Sequence, residues 1–588
     1  FHPHHSQHHK SQSISSVYSH IMSGSNVAPA APAPPSSLDL GGDPGSVKTH
    51  PNLNPNPNPL KRSKLHHEGG DVLLHSRPSS SVSPNICFPM TSGVAPGEHV
   101  TSEALAGALP RQGLNPHHCP YQLYAEQLSG TAFTAPRAQN RRTWLYRARP
   151  CVATSTSFAP ATRKFAPTEV LAHFSHDNAT AIPNAMRWKP RTLEQTRTTQ
   201  TFLTSLKTVC GSGSAETRSG FAIHTYAADT NMDSVALCNA DGEMLVVPQE
   251  GTLYVRTEMG RLAVPPGFCC VLPRGVRFSV DLSDELWPKA ACASVAAAFL
   301  PQEHEGGGSD DDNNNNNNNK ATTTTAAKRH KPEANGQHKT PDNNPFIRGY
   351  ILESFSGHFQ LPDLGVLGAN ALAHPRDFEV PAAAFEGARV PGEHFLIQKF
   401  LGSFHVAKLP SSPFDVAAYH GNVYPYRYDL RSFCPMVNAR YDHADPSVHT
   451  ALTVPNLLDF VVFAPRWLVA EQTFRPPYFH RNVSSEYMGL IYGMYEAKQS
   501  GGFQPGGASL HVCMTPHGPD AEACKAELNR ETTKHDTPQR LDGALAFMFE
   551  SASIPRVTPW SVDAVERDVD YESCWRDIPV SFDGPETL

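Results

Sequence analysis

Paired cysteines, long apolar runs and nucleotide-binding glycine motifs are all missing from this 588-residue chain. Its twelve cysteines contain no CxxC spacing and are scattered, apart from the adjacent Cys269 and Cys270. That argues against a cysteine zinc site or a disulfide framework, and for a reducing, cytoplasmic setting. No apolar stretch approaches the roughly eighteen residues needed to span a bilayer; the nearest, "ACASVAAAFL" (291–300), is far shorter. There is no phosphate-cradling Gly-rich loop, no GxSxG elbow and no Rossmann fingerprint, so nothing supports nucleotide-dependent or serine-hydrolase chemistry. The formal charge of -7 is modest for the length and points to neither nucleic acid nor an anionic membrane.

What is present divides sharply by composition. The hydrophobic share of 39% suggests a folded part diluted by polar sequence. Residues 1–100 contain "FHPHHSQHHK", "APAAPAPPSS" and "NLNPNPNPL", with too few large apolar groups to offset the entropy of ordering, so a long disordered N-terminus is expected. The basic "KRSKLHH" within it reads as a solvated charge run. A second tract holds "DDDNNNNNNNK" and sits between two strand-like stretches, "VRFSVDL" and "IRGYILESF". It is expected to be a surface insertion (285–345) between strands of one domain, and not an interdomain linker. Residues 242–280 place apolar runs between Gly and Pro turns about every ten residues, the spacing of an antiparallel sandwich or barrel.

The chemistry-bearing candidates lie near the C-terminus. "RPPYFHRNVSSEYMGL" (475–490) carries His480 and Glu486, and His517 follows thirty-one residues after the glutamate. Two imidazoles and one carboxylate are the donor set of a non-haem Fe(II) centre, which leaves coordination positions open for substrate and O₂. Strands can aim such residues to one face, because positions an even number apart share it. The spacing permits this without requiring it. His511 lies six residues before His517 and competes for the same role. His443 and His449 read as structural, and His420 in "YHGNVYPYRYDL" as a polar loop residue.

Long blocks resemble the homogentisate 1,2-dioxygenase family: "CPYQLYAEQLSGTAFTAPRAQNRRTWLYRARP", "LPDLGVLGANALAHPRDFEVP", "YHGNVYPYRYDL", "FRPPYFHRNVSSEYMGLIYGMYEAKQ" and "GASLHVCMTPHGPDAEAC". They stand in family order over roughly residues 100–284 and 346–580. The resemblance implies a mainly β chain with few helices: a larger β-rich N-terminal domain (101–400) and a catalytic domain (401–588) of cupin-type jelly-roll or barrel fold. It implies iron ligands at His480, Glu486 and His517, a proton acceptor at His420, and substrate contacts from Tyr495 and His517, with His511 left to support the ligands from behind or to line the pocket. It further implies Fe(II) as cofactor, O₂ as co-substrate, and ring opening of homogentisate to maleylacetoacetate in tyrosine and phenylalanine breakdown. A homohexamer built from two trimers would follow, with no nicotinamide, flavin, nucleic-acid or membrane partner. Departures from the family pattern include Tyr419 in place of tryptophan, an unrecognisable Gly-Phe-Gly-Asn near the N-terminus, and the 285–345 insertion. Phe278 stands where a metal-binding cupin would carry histidine, which marks that half as structural. The rival readings are a gentisate-type ring-cleaving dioxygenase and a non-enzymatic cupin.

Overall fold

A computed structural model describes residues 90–584 except 154–155, 194–198, 285–344, 364–372, 387–391, 438–439, 443, 501, 532–536 and 583. Residues 1–89 of the expected 1–100 extension, the insertion at 285–344, and His443 lie outside the described residues. Residues 90–100, expected to be disordered, are instead ordered and include the strand Met90–Ser92, paired with Phe378–Pro381.

The strand Glu243–Glu250 shows how the layers are set. Its side chains alternate between two cores: Leu245 and Val247 enter one, Met244 and Val246 the other. The neighbouring strand Ile347–Ser354 divides in the same way, with Tyr350 and Leu352 on one side and Ile347 and Ile351 on the other. Both faces of this sheet are buried, which explains the near-continuous apolar run "MLVV" in place of a polar alternation. The sheet has nine strands and forms the middle layer of a three-layer stack. On one side lies a seven-stranded sheet that includes Leu253–Thr257, Arg277–Asp281 and His394–Phe400; Val255, Phe278 and Ile397 fill that core. On the other lies a second seven-stranded sheet, in the order Thr450–Val454, Leu458–Phe463, Leu545–Ser551, Ser485–Tyr492, Ala508–His511, Met186–Trp188, Arg567–Asp568. Phe460, Phe547, Tyr487 and Leu510 face inward from it. The mainly β expectation is met, with only two α-helices among the described residues, Ala521–Leu528 and Pro559–Asp563. No helix among them is long and apolar enough to cross a membrane.

Close approach between the layers depends on Gly489. A Cβ there would lie 2.4 Å from Phe547 Cζ and 3.2 Å from Tyr350 Cζ, so only glycine leaves room for both rings. Tyr350 reaches across from the middle sheet and donates to the Gly507 carbonyl at 2.8 Å.

A four-stranded sheet (Val100–Glu103, Val416–Gly421, Arg142–Arg147 and Tyr124–Ser129) and a two-stranded one (Arg466–Leu468 with Gln539–Leu541) complete the described part. Arg147 anchors the four-stranded sheet from the inside. Its guanidinium is buried and bridges Asp415 at 2.7 Å and both Glu126 and Glu258 at 3.0 Å.

A second buried ion cluster pins the middle sheet to the first seven-stranded sheet. Lys399 Nζ donates to Glu353 Oε1 at 2.8 Å and to Oε2 at 2.9 Å, and lies 2.9 Å from Asp241. Asn239 Nδ2 donates to Glu353 Oε1 at 2.6 Å, and His224 Nε2 lies 2.9 Å from Oε2. Burial alone would raise the Glu353 carboxyl, but Lys399 and His224 outweigh it and hold the pKa at about 2, below the ordinary 4.5. Its ionised form therefore stabilises the fold above the unfolded-state value, and that contribution disappears as pH falls through the folded value. Removing the cation strands a buried carboxylate pair, so Lys399→Met is expected to cost about 3–5 kcal/mol in denaturant unfolding at pH 7. The wild-type chain should lose stability between pH 4.5 and about 2, and Glu353→Gln should flatten that part of the acid-unfolding curve. An unchanged acid limb in Glu353→Gln would show that the cluster does not set acid stability.

Candidate metal centre

Glu486 is the second residue of the strand Ser485–Tyr492. Tyr487 points into the interlayer core, so Glu486 shares the outward face with Met488 and Leu490. In register, Glu486 stands opposite His511 on one neighbouring strand and Glu550 on the other. Leu510 and Phe549 face inward, which turns His511 and Glu550 outward as well. Polar residues therefore form a row across three strands on this face.

Two segments beyond the strand ends complete the cluster. His480 and His517 form an isolated antiparallel bridge, exchanging backbone hydrogen bonds of 2.9 and 3.0 Å. Their rings come within 4.2 Å, centroid to centroid. The bridge is reached through a tight turn: Met514 sits at φ +62° and donates its N–H to the Asn482 carbonyl at 2.8 Å.

Each ring is aimed the same way. His480 Nδ1 is 2.7 Å from the Tyr478 carbonyl, and His517 Nδ1 is 2.9 Å from that of Thr515. Each carbonyl belongs to the residue two positions earlier and can only accept, so both Nδ1 atoms carry hydrogen and both Nε2 atoms are the presented donors. His517 Nε2 lies 3.0 Å from Glu486 Oε2 and His480 Nε2 lies 3.4 Å from Oε1. One donor atom from each of the three residues lies within 4.8 Å of the others, and among the described residues this is the one such cluster found. Asn482 Nδ2 donates to Glu486 Oε1 at 2.7 Å and fixes the carboxylate from outside. Two imidazole nitrogens and one carboxylate, with the second shell already in place, suit a divalent transition metal that keeps open positions.

The electrostatics agree with a poised site. Burial would raise the Glu486 carboxyl, but hydrogen bonds from His480 and His517 hold it well below the ordinary range. Its hydrogen bond to Glu486 raises His480 above its usual value, against the effect of burial. His511 is driven well below its usual value by burial and by the neighbouring His517.

The other sequence candidates fall elsewhere. His511 stays outside the three-donor cluster, with its Nε2 2.9 Å from the Tyr571 hydroxyl. His449 is buried, bonded to the Met436 carbonyl at 2.8 Å and flanked by Phe433 and Phe463. Phe278 lies in the apolar core, and Tyr419 is buried with its hydroxyl donating to the Pro381 carbonyl at 2.5 Å. Tyr495 is buried among Phe463, Phe503 and Met548 on the outer face of the sheet that carries Glu486. Burial raises its hydroxyl well above the usual value, and the charges on Glu496 and, less, Glu486 add to the rise. His420 lies on the four-stranded sheet with Nδ1 2.7 Å from Thr101 Oγ1 and its ring 5.9 Å from that of His99. Neither contact reaches the cluster. Sequence reading missed Asn482 and Tyr571. Asn482 is four residues before the glutamate, a position that the ligand pattern does not constrain. Tyr571 is sixty residues from the His511 it touches, and no local signal announces it.

Comparison with known proteins follows the same residues. A family model for homogentisate 1,2-dioxygenase N-terminal matches residues 92–307 and 337–430, and one for homogentisate 1,2-dioxygenase C-terminal matches 431–582. The chain is 47% identical over 494 residues to homogentisate 1,2-dioxygenase of Oryza sativa subsp. japonica, covering 83% of this chain and 91% of that one. It is 46% identical to that of Arabidopsis thaliana, covering 83% and 92%, and 40% identical to that of Homo sapiens, covering 81% and 93%.

Divalent-cation retention after dialysis, read by elemental analysis, should vanish in His517→Ala and fall only in part in His511→Ala. The opposite ranking would make His511 the ligand. Asn482→Ala should weaken binding about 10–100-fold, the usual effect of losing an outer-shell partner. Since a metal must displace the proton shared by His480 and Glu486, retention should strengthen as pH rises through the raised His480 value.

Proposed function

The chain belongs to the homogentisate 1,2-dioxygenase family, and we propose that its ring-cleaving activity on homogentisate runs at a centre in which His480, Glu486 and His517 hold Fe(II). The observation that carries this reading is the convergence of Nε2 of both histidines on the Glu486 carboxylate, in a chain that matches the family along most of its length. Bound there, Fe(II) would supply open coordination positions and the redox chemistry that lets O₂ react with an electron-rich ring.

The remaining tasks fall to the chain. His517, held by Thr515, and Tyr495, close enough to Glu486 to feel its charge, are the residues assigned to the substrate. His420 accepts a phenolic proton. In the tautomer whose Nδ1–H donates to Thr101 Oγ1, at 2.7 Å, Nε2 bears the lone pair that takes the proton. Burial and the neighbouring His99 depress its pKa below the ordinary 6.5, so the imidazole is neutral and able to accept near pH 7. The ring opens between the acetate-bearing carbon and its hydroxylated neighbour. Homogentisate plus O₂ gives maleylacetoacetate with every atom retained, so no reductant is consumed. This is a step of tyrosine and phenylalanine breakdown. The ten described cysteines are all free thiols, which supports a reducing, cytoplasmic location. The family resemblance supports a homohexamer of two trimers.

Oxygen uptake by Fe(II)-loaded protein on homogentisate, with ¹⁸O₂ and no added reductant, should place both labelled atoms in the ring-opened product. Label arriving from water alone would remove the dioxygenase mechanism, and equal turnover of gentisate would remove the substrate assignment. His420→Gln should retain iron and substrate while turnover falls about 10²-fold or more. With Fe(II) held at saturation at every pH, so that protonation of His480 does not empty the site, the acid limb of the wild-type rate profile should lie below pH 6.5, because proton acceptance is lost as pH falls through the depressed His420 value. An acid limb above 6.5, or full activity in His420→Gln, would take His420 out of the mechanism.

A further inference from the structure

His511 is not one of the three donors, yet its ring lies flat against His517, centroids 4.1 Å apart and planes 6° from parallel. The far edge of His511 is held in turn. Its Nε2 shares a hydrogen bond of 2.9 Å with the hydroxyl of Tyr571, which opens the short helical turn Tyr571–Trp575 near the C-terminus. His511 and Tyr571 are 3% and 2% exposed, so water does not compete for that bond.

Tyr571 is itself clamped. The Arg187 guanidinium sits 4.4 Å from its ring centroid and is salt-bridged to Asp568 at 2.6 Å; Lys498 Nζ lies 5.3 Å from the same ring. The turn also reaches the backbone just past His517. Trp575 Nε1 donates to the Pro519 carbonyl at 3.1 Å and lies 3.4 Å from the Gly518 carbonyl, to which Lys498 Nζ donates at 3.0 Å. Lys498 Nζ also lies 4.7 Å from the Trp575 ring. The segment thus reaches His517 from two sides, through His511 at its ring and directly at the carbonyls of the two residues that follow it.

We propose that Tyr571–Trp575 is a positioning strap for His517, with Tyr571 setting the rotation of His511, His511 setting the plane of the His517 ring, and Trp575 with Lys498 anchoring the backbone that follows. The reason lies in the torsion that aims an imidazole ligand. Rotation of the ring about its last side-chain bond is broad and soft, so the Nε2 lone pair points along one direction only if neighbours hold the ring. The Nδ1 contact to Thr515 fixes one edge; the stacked, bonded His511 removes the remaining swing. The strap rests on the reading of His517 as a metal ligand.

The test uses the full chain and three measurements: Fe(II) affinity by competition with a chelator, thermal unfolding of the metal-free protein, and the visible spectrum of the Co(II)-loaded protein. Tyr571→Phe should weaken Fe(II) binding about 10–100-fold and shift the Co(II) bands. Its unfolding temperature should drop no further than that of Tyr146→Phe, a control on the four-stranded sheet. That control loses a comparable bond, Tyr146 hydroxyl to Leu114 carbonyl at 2.9 Å, and should keep wild-type iron affinity. Trp575→Phe, which deletes the Nε1 donor but keeps an aromatic ring, should weaken affinity in the same direction. Wild-type affinity in Tyr571→Phe would overturn the strap. So would a loss of affinity that merely tracks lost stability and leaves the Co(II) spectrum unchanged. Wild-type iron affinity in His517→Ala would instead sink the ligand reading on which the strap rests, so the two failures are distinguishable.

Discussion

Burial of both faces of the middle sheet is the constraint from which the rest of this structure follows. A sheet with Leu245 and Val247 on one side and Met244 and Val246 on the other must be covered twice, and the two seven-stranded sheets are the covers. Each outer sheet turns an apolar face to the middle one, and the face it turns away holds polar residues beside smaller apolar clusters such as that of Phe463, Met488 and Leu490. Glu486, His511 and Glu550 stand on such a face because Tyr487, Leu510 and Phe549 are committed inward. Adhesion between the layers is hydrophobic and largely non-directional. Polar pins supply the geometry: Lys399 with Glu353 and Asp241 on one side, and the Tyr350 hydroxyl on the Gly507 carbonyl on the other.

At the candidate metal centre the opposing terms are desolvation and pairing. A carboxylate as buried as Glu486 is costly unless each oxygen is satisfied. Here one oxygen takes Asn482 and His480 and the other takes His517, so the burial is compensated and the group stays ionised. The same contacts bring two imidazole nitrogens to the carboxylate. A metal that displaces the shared protons inherits an arranged donor set, and the ordering entropy has already been met by the fold. That is the physical content of preorganisation at this site.

Two features separate the candidate metal cluster from His420, the proposed proton acceptor. The cluster lies on an outer seven-stranded sheet, whereas His420 lies on the four-stranded sheet organised by Arg147. Their environments differ accordingly. Hydrogen bonding to Glu486 raises His480, while partial burial beside His99 lowers His420, so the same residue type is tuned in opposite directions by its surroundings.

Local sequence determined a good deal. Turn residues every ten positions and short apolar runs made the chain antiparallel β, because those patterns are set by neighbours along the chain. The residue types His480, Glu486 and His517 were legible as a donor set for the same reason, and the blocks around them carried the family resemblance. Spacing alone left open whether His511 or His517 joins the cluster, since the two are six residues apart and parity treats them alike; the family resemblance chose His517, and the tertiary structure supplies the arrangement behind that choice. The strand ends at His511, whose ring is stacked and bonded to Tyr571, while the chain turns at Met514 and brings His517 onto the backbone of His480. The contributions of Asn482, Tyr571 and Trp575 were hidden because a side chain that orients another needs contact in space and no fixed spacing in sequence. Register, layer order and the partners of each buried polar group are long-range properties, and they exist only once distant strands have paired.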